Sequence, residues 1–165
     1  MSNPKLQSAF SLRHDCRPLQ NMPATSILPL WRRIHQEFMI RSQLYDLPAN
    51  VCMVLMHLHL HPEDSEPAAM AAANHFPRQT VTFLLDTLEK KGLAARKPHP
   101  NDRRRKLVQL TPKGKRLAET MFHDVVRFES AALRTIKDVD LPRLQSFLTR
   151  YADALAVQND LDLKS

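Results

Sequence analysis

The sequence predicts a mainly α-helical fold with one small β-hairpin, and three observations support this. Through most of the 165 residues, apolar side chains recur at intervals of three and four, the spacing of one face of an amphipathic helix. The chain has only two glycines and 6% aromatic residues, a composition that favours helix. Residues 93–97 and 106–110 instead have the pattern of short strands, and they flank a run of turn-forming residues.

The first part of the chain is predicted to hold an arm and three helices. Residues 1–25 are expected either to form a flexible terminus or to order against a partner subunit. Helical periodicity predicts one helix over residues 26–45 and a second over 49–60. A short alanine-rich helix is expected over residues 68–74, with Pro67 in its first turn.

A fourth helix is predicted over residues 77–91, after a brief turn. Its apolar stripe consists of Val81, Leu84, Leu85 and Leu88. Gly92, which follows two lysines, predicts the C-terminus, because glycine takes the left-handed conformation readily and cations favour the last turn. Two helices joined by a tight turn, the second polar on its outer side, indicate a helix-turn-helix.

Two long helices are predicted after the hairpin. Thr111 and Pro112 are suited to the N-cap and first position of a helix that runs to about residue 136. Asp140 is expected to cap the last helix. The apolar residues of the first of these helices have a near-heptad spacing, which suits packing along another helix. The two helices exceed what a small lobe needs to cover itself, so we expect them to build an interface between two copies of the chain.

Positive charge is concentrated around the fourth helix and the hairpin. Residues 78–116 contain twelve Lys and Arg against three Asp and Glu, a local charge of 12 − 3 = +9. The whole chain carries +7, so the remainder sums to 7 − 9 = −2. Solubility alone would not require such a local excess. A positive field on a helix and a hairpin is typical of proteins that read double-stranded DNA.

The same region resembles the signature of the MarR (multiple antibiotic resistance regulator) family. The residues that carry the resemblance are the run Leu88-Glu89-Lys90-Lys91-Gly92-Leu93, then Asp102, Arg104, Val108, Leu110, Thr111 and Gly114. The resemblance implies a dimeric winged helix-turn-helix transcription regulator. The family usually has an apolar residue and a glycine where Asn74 and His75 stand, so this chain departs from the pattern at the turn.

The resemblance also implies an organisation and a mode of action. Residues 49–111 would form the DNA-binding lobe, and residues 26–48 with 112–165 the dimerisation region of a cytoplasmic homodimer. The protein would be a repressor that binds a near-palindromic operator and is released by a small aromatic or phenolic effector. Candidate residues for the wall of an effector pocket are Trp31, His35, Phe38, Met39, Met53 and His57.

Contacts with DNA are expected from the outward side of the recognition helix, residues 77–91. Arg78 can pair with guanine and Gln79 with adenine through two hydrogen bonds each. Thr80 or Thr82 can hold a phosphate. Phe83 lies off the apolar stripe, and it either contacts a thymine methyl group or packs under a neighbouring loop.

The hairpin, residues 94–110, is expected to act as the wing. Its tip contains the run Asp102-Arg103-Arg104-Arg105-Lys106. Adjacent arginines repel one another, so their clustering predicts a polyanionic partner, and the narrow minor groove concentrates negative potential. The family pattern implies that Asp102 holds Arg104 and fixes the tip, while Arg103 or Arg105 inserts into the groove.

Other function classes have weaker support. His57 and His61 share a helix face at a spacing that can chelate a metal, which would make the protein metal-binding or metal-responsive. Cys16 could act as a redox sensor, although no activating base is visible, and Cys52 is expected in the core. We find no catalytic motif, so we expect neither an enzyme nor a cofactor. No apolar run is long enough to cross a membrane.

Overall fold

A computed structural model describes residues 26–100 and 102–162 of the chain. In these residues the helices are α1 (Leu28–Ser42), a short 3₁₀ helix (Gln43–Tyr45), α2 (Ala49–Leu60), α3 (Pro67–Ala73), α4 (Arg78–Lys90), α5 (Pro112–Thr135) and α6 (Leu141–Asp162). The strands are β1 (Ala94–His99) and β2 (Asp102–Leu110), which pair antiparallel. The mainly helical fold with a single hairpin is thus confirmed for the described residues.

Side-chain caps begin the two long helices where the sequence predicted them. The Thr111 hydroxyl accepts a hydrogen bond from the amide of Gly114 at 3.1 Å, and it donates one to the carbonyl of Gly92 at 2.7 Å. The Asp140 carboxylate accepts a hydrogen bond from the amide of Arg143 at 3.0 Å. Such bonds satisfy amides that the first turn of a helix otherwise leaves unpaired.

The hairpin is longer than the sequence indicated. The strands extend to His99 and Asp102, and Pro98 lies opposite Lys106 within the ladder. Proline has no amide hydrogen, and in strands it is tolerated at edges and bulges. Both conditions hold here, because the register shifts between Pro98 and His99 and the sheet has two strands. The run of arginines therefore belongs to a strand rather than to a loose loop.

The winged lobe has one core, to which the recognition helix α4 contributes its whole apolar stripe. Val81, Leu85 and Leu88 of α4 are fully buried. They belong to the same cluster as residues of α2, β2 and the first half of α5, namely Val54, Leu55, Val108, Ala118 and Met121. Burying the inner side of α4 in this way fixes its outer side to face solvent.

The turn between α3 and α4 is a Schellman motif built without glycine. The amide of Phe76 donates to the carbonyl of Ala71 at 3.0 Å, and the amide of His75 donates to that of Ala72 at 3.2 Å. His75 has φ +52°, the left-handed conformation that this motif requires. The departure from the family pattern at this position therefore changes the residue but leaves a helix-turn-helix turn in place.

The described part of the chain divides into two compact units, one that ends at Val125 and one that begins at Val126. In the second unit, every residue from 131 to 162 is exposed. The exposed residues include large apolar side chains of α6, among them Leu144, Phe147, Leu148, Tyr151 and Leu155. None of the helices that the structure describes combines the length and the apolar character needed to cross a bilayer.

Candidate nucleic-acid interface

The recognition helix α4 presents the outward residues that the sequence indicated. Arg78, Gln79 and Thr82 are exposed, and 69% of the Phe83 surface is accessible. Phe83 therefore does not pack under a loop of the described chain, which removes the alternative for this residue. The four residues of the apolar stripe are buried on the opposite side. Contacts of the outward residues with DNA stay a prediction.

Thr80 and Thr82, the two candidates for a phosphate contact, differ in solvent exposure. Thr80 is half-buried, whereas Thr82 is exposed. The Thr82 hydroxyl donates to the carbonyl of Arg78 at 3.0 Å, so it has to rotate before it can donate to a phosphate. The predicted phosphate contact by either residue remains untested.

Arg96 of β1 connects the hairpin to the recognition helix. Its Nη1 donates to Asp86 at 2.6 Å and also to Glu89, and its Nη2 donates to the carbonyl of Thr82 at 3.3 Å. The amide of Arg96 donates to the other carboxylate oxygen of Glu89 at 2.8 Å. We refer to Arg96, Asp86, Glu89 and the Thr82 carbonyl as the Arg96 cluster. It joins one strand of the hairpin to the face of α4 next to the outward residues.

The second strand of the hairpin is attached to the segment before α3. The amide of Val108 donates to the carbonyl of Ser65 at 2.8 Å. Arg105 forms an ion pair with Glu66, the residue that precedes α3. Arg105 is exposed, so a groove contact by its guanidinium would have to compete with this carboxylate. Lys106 is exposed as well.

The remaining predictions for the wing tip fall mostly on positions outside the described residues. Asn101 and the side chains of Arg103 and Arg104 lie outside the described residues. Asp102 is half-buried at the start of β2. The expected pairing of Asp102 with Arg104, and the insertion of Arg103, therefore stay predictions.

A second charged cluster joins α1 to α5 and was not predicted from the sequence. The Asp124 carboxylate accepts hydrogen bonds from Arg41 Nε at 2.8 Å and from the Tyr45 hydroxyl at 2.5 Å. Burial, followed by the hydrogen bond to Asp124, raises the pKa of Tyr45 well above its ordinary value. The hydrogen bond to Asp124 likewise raises the pKa of Arg41. Partners 79 and 83 residues apart leave no local signal in the sequence.

The residues proposed for an effector pocket differ in exposure. Trp31 and His35 are exposed, and the other four, Phe38, Met39, Met53 and His57, are half-buried. The Nε2 atom of His57 is buried and has no hydrogen-bond partner among the described residues. A half-buried ring with an unpaired nitrogen is compatible with ligand recognition, and the pocket stays a prediction.

The histidines and cysteines give limited support to the alternative functions. The rings of His57 and His61 lie 5.3 Å apart between centroids. His61, Glu63 and Asp64 place possible ligand atoms within 4.8 Å of one another, all exposed, and His57 is outside this group. Cys16 lies outside the described residues. Cys52 is buried, as predicted, and burial raises the pKa of its thiol to about 11.

Most of the winged lobe matches a known protein family. Residues 45–105 match the MarR family. The chain is similar to MepR of Staphylococcus aureus in a MepR–DNA complex, with 25% identity, a TM-score of 0.66 and coverage of 76% of this chain and 95% of that one. Another structure of MepR, a transcription regulator of the multidrug efflux pump MepA, has 24% identity, a TM-score of 0.62 and coverage of 76% and 96%.

A structure from a different organism has the same fold. PcaV, a transcriptional regulator from Streptomyces coelicolor in complex with its natural ligand, is 21% identical to the chain. The TM-score is 0.62, and the match covers 81% of this chain and 99% of that one. The match reaches nearly the full length of PcaV.

Proposed function

We propose, from the premise that this chain belongs to the MarR family of transcription regulators, that it is a homodimeric repressor that binds a near-palindromic operator. One observation carries the proposal most directly. The segment that matches the family contains a helix whose inner side is buried and whose outer side exposes Arg78, Gln79 and Phe83. A relative of the same fold has been solved as a complex with DNA.

The recognition helix would read bases from the major groove through its first turns. Early positions of such a helix approach base edges most closely. Arg78 and Gln79 occupy the first two positions of α4. One turn later, Phe83 exposes 69% of its surface, and an aromatic ring in this place can contact a thymine methyl group. Arg78 would recognise guanine, and Gln79 adenine.

The hairpin would supply contacts that depend mainly on charge and groove width. Its second strand carries three consecutive arginines, and Lys106 next to them is exposed. Arg103 is the first candidate for insertion into the minor groove, since Glu66 already pairs with Arg105. Arg104, with Asp102, would stabilise the tip.

The dimer would form through the N- and C-terminal helices. The large apolar side chains exposed on α6 make this helix unsuited to an isolated protomer in water. Two protomers related by a twofold axis would place their recognition helices in successive major grooves, about 34 Å apart. A small aromatic or phenolic effector would favour a spacing that no longer fits DNA. PcaV, which has the same fold, was solved in complex with its natural ligand.

The proposal is tested by measuring binding to duplex DNA over a range of salt concentrations. The operator is first selected with the wild-type protein from fragments of the source genome. Arg78→Ala should reduce discrimination between operator and random duplex, because it removes a base contact worth about 1–3 kcal/mol. Arg103→Ala with Arg105→Ala should weaken binding to all sequences, with the salt slope falling by about 0.9 for each lost phosphate contact.

Arg150→Ala is the matched control, because it removes one arginine charge from an exposed position of α6 that lies off the apolar side of this helix and outside the elements proposed to contact DNA. It should bind as the wild type does. Absence of salt-dependent binding by the wild-type protein would refute the proposed function. A promoter reporter that carries the selected operator then distinguishes a repressor from an activator.

A further inference from the structure

We propose that Arg96 is a positioning residue for DNA recognition, which holds the hairpin in register with the recognition helix and neutralises two carboxylates beside the DNA-facing side. This inference rests on the proposed DNA-binding function. It assigns a role to a residue that itself need not contact DNA. The observation behind it is the Arg96 cluster, in which one guanidinium joins β1 to three positions of α4.

The geometry of the cluster specifies more than an ion pair. Arg96 donates to side chains one turn apart on α4, Asp86 and Glu89, and to the carbonyl of Thr82 one turn earlier. Its own backbone amide donates to Glu89, so the strand as well as the side chain is attached. A planar guanidinium can meet several acceptors in fixed directions, whereas a lysine ammonium acts as a point charge.

The Arg96 cluster attaches β1, whereas separate contacts attach β2. β2 is held through Val108 and Arg105, which contact Ser65 and Glu66 before α3. β1 pairs with β2 alone in the described sheet, and Arg96 stands opposite Val108 in the ladder. Arg96 therefore supplies the side-chain connection from β1 to α4 at the level where β2 is held. The two attachments together hold the hairpin in place beside the helix that carries Arg78 and Phe83.

Charge provides a second reason for the residue. Asp86 and Glu89 lie on the helix that the proposal places in the major groove, and 45% and 29% of their side-chain surfaces are accessible. Unpaired carboxylates there would repel DNA phosphates. Arg96 places its positive charge against both of them. The positive field of the recognition surface thus depends on a residue that is itself only 26% accessible in its side chain.

Three variants separate positioning from charge. Arg96→Lys keeps the charge but cannot bridge all three acceptors, so we expect about tenfold poorer discrimination between operator and random duplex, with random-duplex affinity nearly unchanged. Asp86→Ala with Glu89→Ala removes both side-chain acceptors of the Arg96 cluster and two negative charges. It should bind random duplex more tightly and discriminate less. Arg150→Lys is the control and should match the wild type in both measurements.

Different results would refute the positioning role of Arg96 and the proposed DNA-binding function. If Arg96→Lys discriminates as well as the wild type, or if the double variant gains equally on operator and random duplex, positioning is refuted and charge alone remains. If the wild type binds no duplex, the proposed function fails. In that case amide hydrogen exchange in residues 94–99 still tests the attachment. Faster exchange in Arg96→Lys than in Arg150→Lys supports it, and equal exchange refutes it.

Discussion

The winged lobe and the C-terminal unit, which begins at Val126, both contain amphipathic helices, but the apolar side chains are buried in the lobe and exposed in the C-terminal unit. In the lobe, Val81, Leu85 and Leu88 of α4 are fully buried against residues of the same chain. In the C-terminal unit, 53% of Phe147 and 45% of Leu148 are accessible. An apolar stripe therefore predicts that a helix has a covered side, but it does not tell whether the cover comes from the same chain or from another.

The difference has a thermodynamic consequence. Burying apolar surface within one chain stabilises the lobe at any protein concentration. If the apolar side of α6 is buried by a second chain, that part of the stability depends on protein concentration by mass action.

The same substitution in both regions should give different results. Leu85→Ala should lower the free energy of unfolding by about 2–5 kcal/mol, because it leaves a cavity in the core. Leu148→Ala should instead shift dissociation of the dimer to a higher protein concentration, because it removes part of the apolar surface that a second chain would cover. Urea unfolding at several concentrations, with light scattering for the mass, measures both.

A monomer would give another pattern for this pair. Leu148→Ala would then cost less than about 0.5 kcal/mol, as exposed substitutions usually do. A single-chain mass for the wild type, together with a concentration-independent midpoint, would contradict the assignment of α6 to a dimer interface.

The junction of the hairpin and α5 leaves no room for a side chain at Gly114. A Cβ atom added at Gly114 would lie 1.9 Å from the carbonyl oxygen of Leu93. Because the obstacle is backbone, Gly114→Ala should destabilise the lobe by about 3 kcal/mol in a urea titration. Gly92→Ala is the comparison, since it meets open space and its φ of +67° is the only source of strain. An equal loss in both variants would refute the packing explanation.

Cys52 offers a titration that reports on the lobe core alone. Burial raises the pKa of its thiol from 9.0 to about 11, so on raising the pH the unfolded chain loses this proton first. The folded state should be fully favoured below about pH 9 and should lose about 2 kcal/mol between pH 9 and 11. Cys52→Ala should show a shallower decline over the same range in denaturant titrations. Parallel pH profiles for the two proteins would contradict the assignment.

His75 holds a left-handed backbone conformation in the turn between α3 and α4. The left-handed conformation is energetically unfavourable for a residue with a Cβ atom, whereas glycine adopts it freely. His75→Gly should therefore stabilise the lobe, by up to about 1 kcal/mol after the entropy of the unfolded chain is counted. Ala73→Gly, within α3, should destabilise by about 1 kcal/mol and is the matched control. Thermal unfolding measures both, and a loss of stability in His75→Gly would oppose the backbone argument.

Local patterns were sufficient for the elements and for the sides of the recognition helix. The stripe of α4 is buried, Phe83 is exposed, and Thr111 and Asp140 cap the helices they were expected to cap. These features depend on spacing within one or two turns. The strands of the hairpin are longer than the local pattern predicts, because proline is tolerated at a bulge and does not end the strand here.

The charged clusters could not be predicted in the same way. Nothing in the local sequence distinguishes Arg96 or Arg105 from the neighbouring basic residues, yet Arg96 contacts Asp86 and Glu89 while Arg105 contacts Glu66. An ion pair requires two side chains to meet in space, and Glu66 lies 39 residues from Arg105 along the chain. Periodicity reports which side of a helix is apolar, since that follows from the helix itself. Which charges meet depends on how the elements pack, and for that reason only the folded chain reveals it.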